Sequence, residues 1–223
     1  MSVNLNHIAG LCLSILSISS SIISKLATGI FFLLLIKAMF IWLKTSRFRK
    51  KLKTTKIPSL IQKLSLKHNL QEKIKVIIDK RPFAFCLGLF HPKIFISTGM
   101  IKIMKKSEVE MILLHEKYHL IKNHTRTMFI FNFLKYLFIF FPVISDVIDS
   151  FIKQKEALAD RYGIAYIGNN NSIISAFKKL LIHRSSNIPV LNFGASFTNI
   201  NTLEYRIEIL KGKKPKSISF KRG

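Results

Sequence analysis

Charged positions are almost absent from the first 43 residues and frequent afterwards. An apolar block runs from His7 to Leu43, broken only by Lys25 and Lys37, and the first acid in the chain is Glu72. Seven basic residues follow the block: Lys44, Arg47, Arg49, Lys50, Lys51, Lys53 and Lys56. A membrane span needs about 20 apolar residues, so residues 8–43 hold one or two transmembrane helices. The pattern divides at Lys25-Leu26, into a Ser-rich, moderately apolar Ile8–Ser24 and a strongly apolar Ala27–Leu43. A hairpin with both ends cytoplasmic is favoured over a single span. In either arrangement the basic flank marks the cytoplasmic side. No basic n-region precedes the run, and the run exceeds an h-region, which argues against a cleaved signal peptide. Residues 1–50 therefore read as an N-terminal membrane anchor. Residues 51–223 read as a domain facing the cytoplasm.

From Ile57 the period shortens. Ser59–Asn69 has the spacing of a short amphipathic helix. Lys75–Asp79, Phe83–Leu87 and Lys93–Ser97 are β-branched or aromatic runs separated by Arg-Pro and His-Pro turn signals. Ser107 with Glu110 predicts a capping box that opens a helix reaching about His124. A second apolar block, Met128–Ile148, contains Lys135 and Pro142. Lys153–Ile167, ended by Gly168-Asn169, and then Ser172–His183 and Leu203–Leu210 complete the helices. The predicted class is α+β, predominantly α-helical, with a small β-sheet and a membrane anchor.

Composition narrows the class further. The chain of 223 residues carries 36 Lys+Arg against 11 Asp+Glu, a net charge of +25, yet is 49% hydrophobic with a mean hydropathy of +0.29. So apolar a chain is not disordered. Nine Gly and two Cys exclude collagen and disulfide scaffolds. Cys12 and Cys86 stand far apart without a C-x-x-C, so both read as small buried residues rather than metal ligands. Basic residues occur in nearly every segment and no nucleic-acid motif is present, so no nucleic-acid partner is expected.

The chemistry lies in His115-Glu116-Lys117-Tyr118-His119. Two histidines four apart on a helix project from one face and can share a metal ion. Glu116 lies one step round and can touch a water on that metal, as a general base. A zinc hydrolase needs a third protein ligand. Glu156, on a predicted helix, is the candidate, and Asp160, one turn later, can take the second N–H of a ligand histidine. Two of the scarce acids thus fall at this spacing. His124 points off the metal face and reads as a helix-end histidine, with Tyr118 also off that face. Arg206 reads as a brace for the domain. His91 reads as a loop residue, and His7, His68 and His183 show no partner.

This site constrains the second apolar block. One crossing at 128–148 would put His115 and His119 on one side of the membrane and Glu156 on the other. Two crossings need about 40 residues, and residues 120–155 provide 36. The block must dip in and return, lie in the interface, or cover the catalytic helices. An interfacial or re-entrant segment is the expectation.

H-E-x-x-H followed by E-x-x-x-D resembles the gluzincin metallopeptidases. The run from Phe83 to Gly99 (Phe83-Ala84-Phe85-Cys86-Leu87-Gly88-Leu89-Phe90-His91-Pro92-Lys93-Ile94-Phe95-Ile96-Ser97-Thr98-Gly99) is similar to the strand pair before the zinc helix in the receptor-type peptidases of β-lactam sensing. It also resembles the heat-shock membrane proteases and prenyl-protein proteases. The resemblance covers roughly residues 75–210. It implies one Zn2+ per chain on His115, His119 and Glu156, with Glu116 as base and Asp160 holding a ligand histidine. Thr198-Asn199-Ile200 stands where the heat-shock branch carries Thr-His-Pro, which favours the receptor branch. A penicillin-binding domain is not expected after residue 223. Ser175-Ala176-Phe177-Lys178 and Ser185-Ser186-Asn187 read as chance matches to its motifs.

The expected function is a membrane-bound zinc metalloendopeptidase in the cell membrane, its catalytic domain cytoplasmic. Its expected partners are a polypeptide substrate and the lipid bilayer, and its expected role is antirepressor-type regulatory proteolysis. The Ile94–Ser97 strand is the candidate edge for pairing an extended substrate. The alternatives are a housekeeping quality-control peptidase, or a non-catalytic basic membrane protein binding anionic lipid.

Overall fold

A computed structural model describes residues 5–139, 141–183, 195–196 and 200–212. The chain divides into two units, one up to Arg47 and one from Phe48 onward. The segments around Thr198-Asn199 and Ser185-Ser186-Asn187, and the side chains of His7 and Cys12, lie outside the described residues.

Helix α1, Leu5–Lys51, is continuous over 47 residues and makes up the described part of the first unit, its last four residues counting with the second. The expected hairpin at Lys25-Leu26 is therefore not formed. Lys and Leu are both good helix formers, and no proline or left-handed residue interrupts the ladder. Thr28 Oγ1 donates back to the Ser24 carbonyl at 2.8 Å, as a hydroxyl inside a helix does. Ile23, Leu26, Phe31, Phe32 and Leu35 leave α1 on different sides, and all are exposed. A helix apolar all round suits lipid. Ser20–Lys51 is long and apolar enough to cross a membrane, and is a candidate anchor.

The second unit is α+β and mostly helical. Strands β1 (Thr54–Thr55), β2 (Ile74–Ile77), β3 (Ala84–Leu87), β4 (Lys93–Ser97) and β5 (Ala195–Ser196) form one sheet in the order β1-β2-β4-β3-β5. β4 runs parallel to β2 and antiparallel to β3, with Ile94 opposite both Ile74 and Cys86. Strand Ile94–Ser97 is thus central, not the free edge expected for substrate. Both its backbone faces already carry a ladder. One side of the sheet presents Val76, Ala84, Ile94 and Ile96 to the main core. The other presents Ile77, Phe83, Phe85 and Phe95, with Phe85 stacked on Phe83 and Phe95 at 5.8 and 5.4 Å between centroids. Burial on both sides explains why β3 and Ile94–Ile96 of β4 are unbroken apolar runs rather than alternations. Cys86, fully buried in β3, is a free thiol.

After β4 the chain enters helix α3, Thr98–Ile103, whose N-cap Ser97 accepts from the Phe83 and Met100 amides at 3.0 Å. A Cβ at Gly99 would fall 2.1 Å from the Lys80 carbonyl oxygen, so this corner admits glycine alone. Helix α4, Lys106–Ile121, then opens on Glu108 rather than on the expected Ser107/Glu110 pair. The Glu108 carboxylate accepts the Lys105 amide at 2.6 Å, together with Ser175 Oγ and Lys179 Nζ. Burial works to raise its pKa, but these donors together hold it below the ordinary value. Glu110 is occupied elsewhere. It binds Lys67 and the buried His68 of helix α2 (Ser59–Lys67), at 2.7 and 2.8 Å. His68 thus has the partner that the sequence did not suggest.

α4 stops at Ile121, short of the expected His124. Asn123 takes the left-handed conformation (φ 51, ψ 35), and helix α5, His124–Leu137, leaves in a new direction. α5 and α6 (Pro142–Ile167) form an antiparallel hairpin, so the chain reverses within the second apolar block. Pro142 sits at the first turn of α6, where its missing N–H costs nothing. It opens a helix eleven residues before the expected Lys153. Lys135 and Asp149 tie the two arms together at 2.6 Å. Beyond that pair the tip exposes Ile139, Phe141 and Val143, at 66%, 62% and 69%. α6 ends as the sequence suggests, at Gly168 with φ 85. Its Gly163 faces Met111 of α4, and a Cβ there would lie 2.4 Å from Met111 Cε. Helices α7 (Asn171–Ile182) and α8 (Ile200–Leu210) close the core through Ile173, Phe177, Leu203 and Ile207.

Candidate metal centre

Three helices and one helix start meet in the buried interior of the second unit. α4 supplies His115, Glu116 and His119, α6 supplies Glu156 and Asp160, α8 supplies Arg206, and α5 begins on His124. All seven side chains are buried. Helical geometry explains the first two sets, because residues four apart stack on one face. The close passage of Gly163 against Met111 brings those two faces together.

The ring nitrogens converge. His115 Nε2 and His119 Nε2 lie 3.0 Å apart. Glu156 Oε2 is 3.3 Å from the first and Oε1 is 3.4 Å from the second. One donor atom from each of these three residues falls within 4.8 Å of the others. The opposite ring nitrogens are both engaged. His115 Nδ1 lies 2.9 Å from Asp160 Oδ1, and His119 Nδ1 lies 2.6 Å from His124 Nδ1. Both Nε2 atoms are thereby left facing the Glu156 carboxylate. Such a set of two imidazoles and one carboxylate is the right chemistry to hold a metal ion.

Arg206 sits behind the acids. Its Nε donates to Asp160 Oδ2 at 2.8 Å and its Nη2 to Asp160 Oδ1. Nη1 lies 3.2 Å from Glu156 Oε2, and the guanidinium stacks 4.5 Å over the Phe177 ring. Burial opposes its charge, but Asp160 and then Glu156 overcome this and keep its pKa raised.

These partners shift the titration of the site's own groups. Burial works against a charged His115, but the hydrogen bonds with Asp160 and Glu156 win and hold it up at about 9. Burial drives His119 down to about 3. Burial and then Lys155 drive His124 down to about 4. Burial would raise Glu156, but His119, His115 and Arg206 bring it to about 2. Burial and the nearby Glu116 charge push the Cys86 thiol well up, so it stays neutral.

The structure brings together all five residues named from the sequence: His115, Glu116, His119, Glu156 and Asp160. Two more contribute that the sequence reading placed elsewhere. His124 is not a histidine aimed away from the metal face, because the Asn123 turn folds it back onto His119. Asn is the non-glycine residue most at ease in the left-handed region, so Asn123 before His124 was a usable signal. Arg206, read as a brace for the domain, makes its contacts with the two acids of the site. It sits between Leu203 and Leu210 on the apolar stripe of α8, where only a partnered charge is tolerated.

No curated protein matches the sequence. A family model described as the BlaR1 peptidase M56 matches residues 16–210. That range holds the candidate anchor, the sheet and every residue of the site. With most of its length matched, and with a buried His/His/Glu cluster where a metallopeptidase needs one, the chain belongs to the BlaR1 peptidase M56 family.

Proposed function

We propose that the chain is a membrane-bound zinc endopeptidase in which Glu116 is the general base. One observation carries the reading: His115 Nε2, His119 Nε2 and the Glu156 carboxylate converge while the other ring nitrogens are engaged. Zinc favours this N/N/O set and keeps a fourth position open in catalytic sites. When bound, it supplies Lewis-acid activation of a water and of the peptide carbonyl. The remaining steps belong to the protein. Glu116 accepts a proton from the attacking water and returns it to the leaving amine. Asp160 fixes His115 by its Nδ1–H, which keeps Nε2 available. Arg206 offsets the negative charge of Glu156 and Asp160. Purified protein should carry about one zinc per chain by elemental analysis, with the metal lost in His115→Ala and His119→Ala. A folded wild-type sample without zinc would overturn the reading.

The family supports a polypeptide substrate, and its receptor-type peptidases support regulatory, antirepressor-type cleavage over quality control. We place the catalytic unit on the cytoplasmic side, because the basic flank of α1 follows the positive-inside rule. The α5–α6 hairpin then lies in or on the membrane from that side as an interfacial or re-entrant element. Single cysteines at positions 105, 123 and 155, in a background without Cys12 and Cys86, should resist an impermeant thiol reagent until cells are opened. Labelling of 155 but not 123 in intact cells would mean a true crossing between the motifs.

A further inference from the structure

We infer that His124 is a positioning residue, which accepts the Nδ1–H of His119 and so keeps His119 Nε2 open toward the metal. The inference rests on the metal-site reading above and extends it to one ligand. The number of protons on the two rings fixes which one donates. A neutral imidazole carries one N–H. If His119 Nε2 is to offer a lone pair, its proton sits on Nδ1. At 2.6 Å, His124 Nδ1 must then accept. The proton of His124 is accordingly on its Nε2, a buried atom with no hydrogen-bond partner among the described residues. The reverse assignment has His124 donating and moves the His119 proton onto Nε2, where it blocks the ligand atom.

The two ligand histidines are therefore held in different ways. His115 faces the Asp160 carboxylate, which when ionised can only accept. Its tautomer is locked. His119 faces a group able to accept or to donate, so its tautomer depends on how His124 is presented. The backbone presents it firmly. Asn123 turns the chain, Thr125 Oγ1 donates to the Gly88 carbonyl at 2.8 Å, and Arg126 Nε donates to the Leu89 carbonyl at 2.8 Å. The Tyr118 ring meets the His124 ring edge-on at 5.5 Å.

Two substitutions separate the hydrogen bond from the packing. His124→Phe keeps a ring and removes the acceptor. His124→Asn keeps an acceptor near the Nδ1 position and removes the ring. Zinc affinity of the full-length protein in detergent would be measured by competition with a chromophoric chelator, beside the thermal unfolding of each metal-free protein. His124→Phe should bind zinc about 10- to 100-fold more weakly, and His124→Asn should recover most of that loss. If the phenylalanine protein does not fold, His124→Leu takes its place. Wild-type affinity in the acceptor-free variant overturns the inference. So does equal weakening in both, or weakening in His124→Asn alone, since either makes His124 a packing residue. A wild-type protein that binds no zinc overturns the metal-site reading itself, and is told apart by that result alone.

Discussion

Glu116→Gln protein should bind zinc as wild type does and cleave peptides about 100- to 10,000-fold more slowly, the range that general-base catalysis supplies. The amide is nearly the shape of the carboxylate but cannot take a proton from water. Glu116 stands outside the His115/His119/Glu156 donor group, so removing its charge leaves those three atoms in place. Its side chain is fully buried, and the neutral amide is easier to bury than the ion, so the fold should not suffer. The measurement is a paired one, zinc content and peptide cleavage on the same preparation. Wild-type cleavage by Glu116→Gln would remove Glu116 as the base. Loss of zinc together with activity would make it a structural residue of the site.

The second large effect falls on stability. Arg206→Ala should destabilise the metal-free protein by about 3–5 kcal/mol, the usual result of removing one partner from a buried ion cluster. Glu156 and Asp160 are both buried, and Arg206 contacts both. Removing it leaves two buried carboxylates without the guanidinium that pairs with both. For a chain of this size the loss corresponds to a fall in Tm of roughly 6–20 °C. Zinc should restore part of it, because a bound cation beside Glu156 replaces some of the missing charge. Thermal unfolding with and without zinc checks both halves. An Arg206→Ala protein that melts with wild type in both conditions would mean that the guanidinium only fills space. Arg206→Lys should fall between, since an ammonium keeps the charge but not the fork that reaches both acids.

How much could be seen beforehand follows from the range of each interaction. His115 with His119, and Glu156 with Asp160, are pairs four apart on one helix, and helical geometry alone aligns them. The β3 and β4 runs were visible because they are apolar on both sides, yet their neighbours were not. Nothing local tells β4 to pair in parallel with β2, and so to become central rather than an edge. His124 was missed because its place depends on one backbone torsion pair at Asn123. Arg206 was missed because its acidic partners lie 46 residues or more before it, on a helix whose docking no local pattern encodes. The unbroken α1 shows the opposite limit. A drop in hydropathy over Ile8–Ser24 looked like a boundary, but serines interrupt a hydropathy profile without breaking a helix.

α6 is one uninterrupted rod that carries an apolar tip at Pro142 and the proposed metal ligand Glu156. At a rise of about 1.5 Å per residue, those points are about 21 Å apart along the axis. The helix is therefore a ruler. If the tip reaches the bilayer midplane, about 15 Å below the edge of the hydrocarbon, the ligand stands about 6 Å outside it, at headgroup depth. A shallower tip moves the site farther into water by the same amount. For a helix standing along the membrane normal, a peptide bond buried within the hydrocarbon would then lie beyond the proposed site. The proposed peptidase would then cut a bond that lies beside the membrane or is drawn out to it.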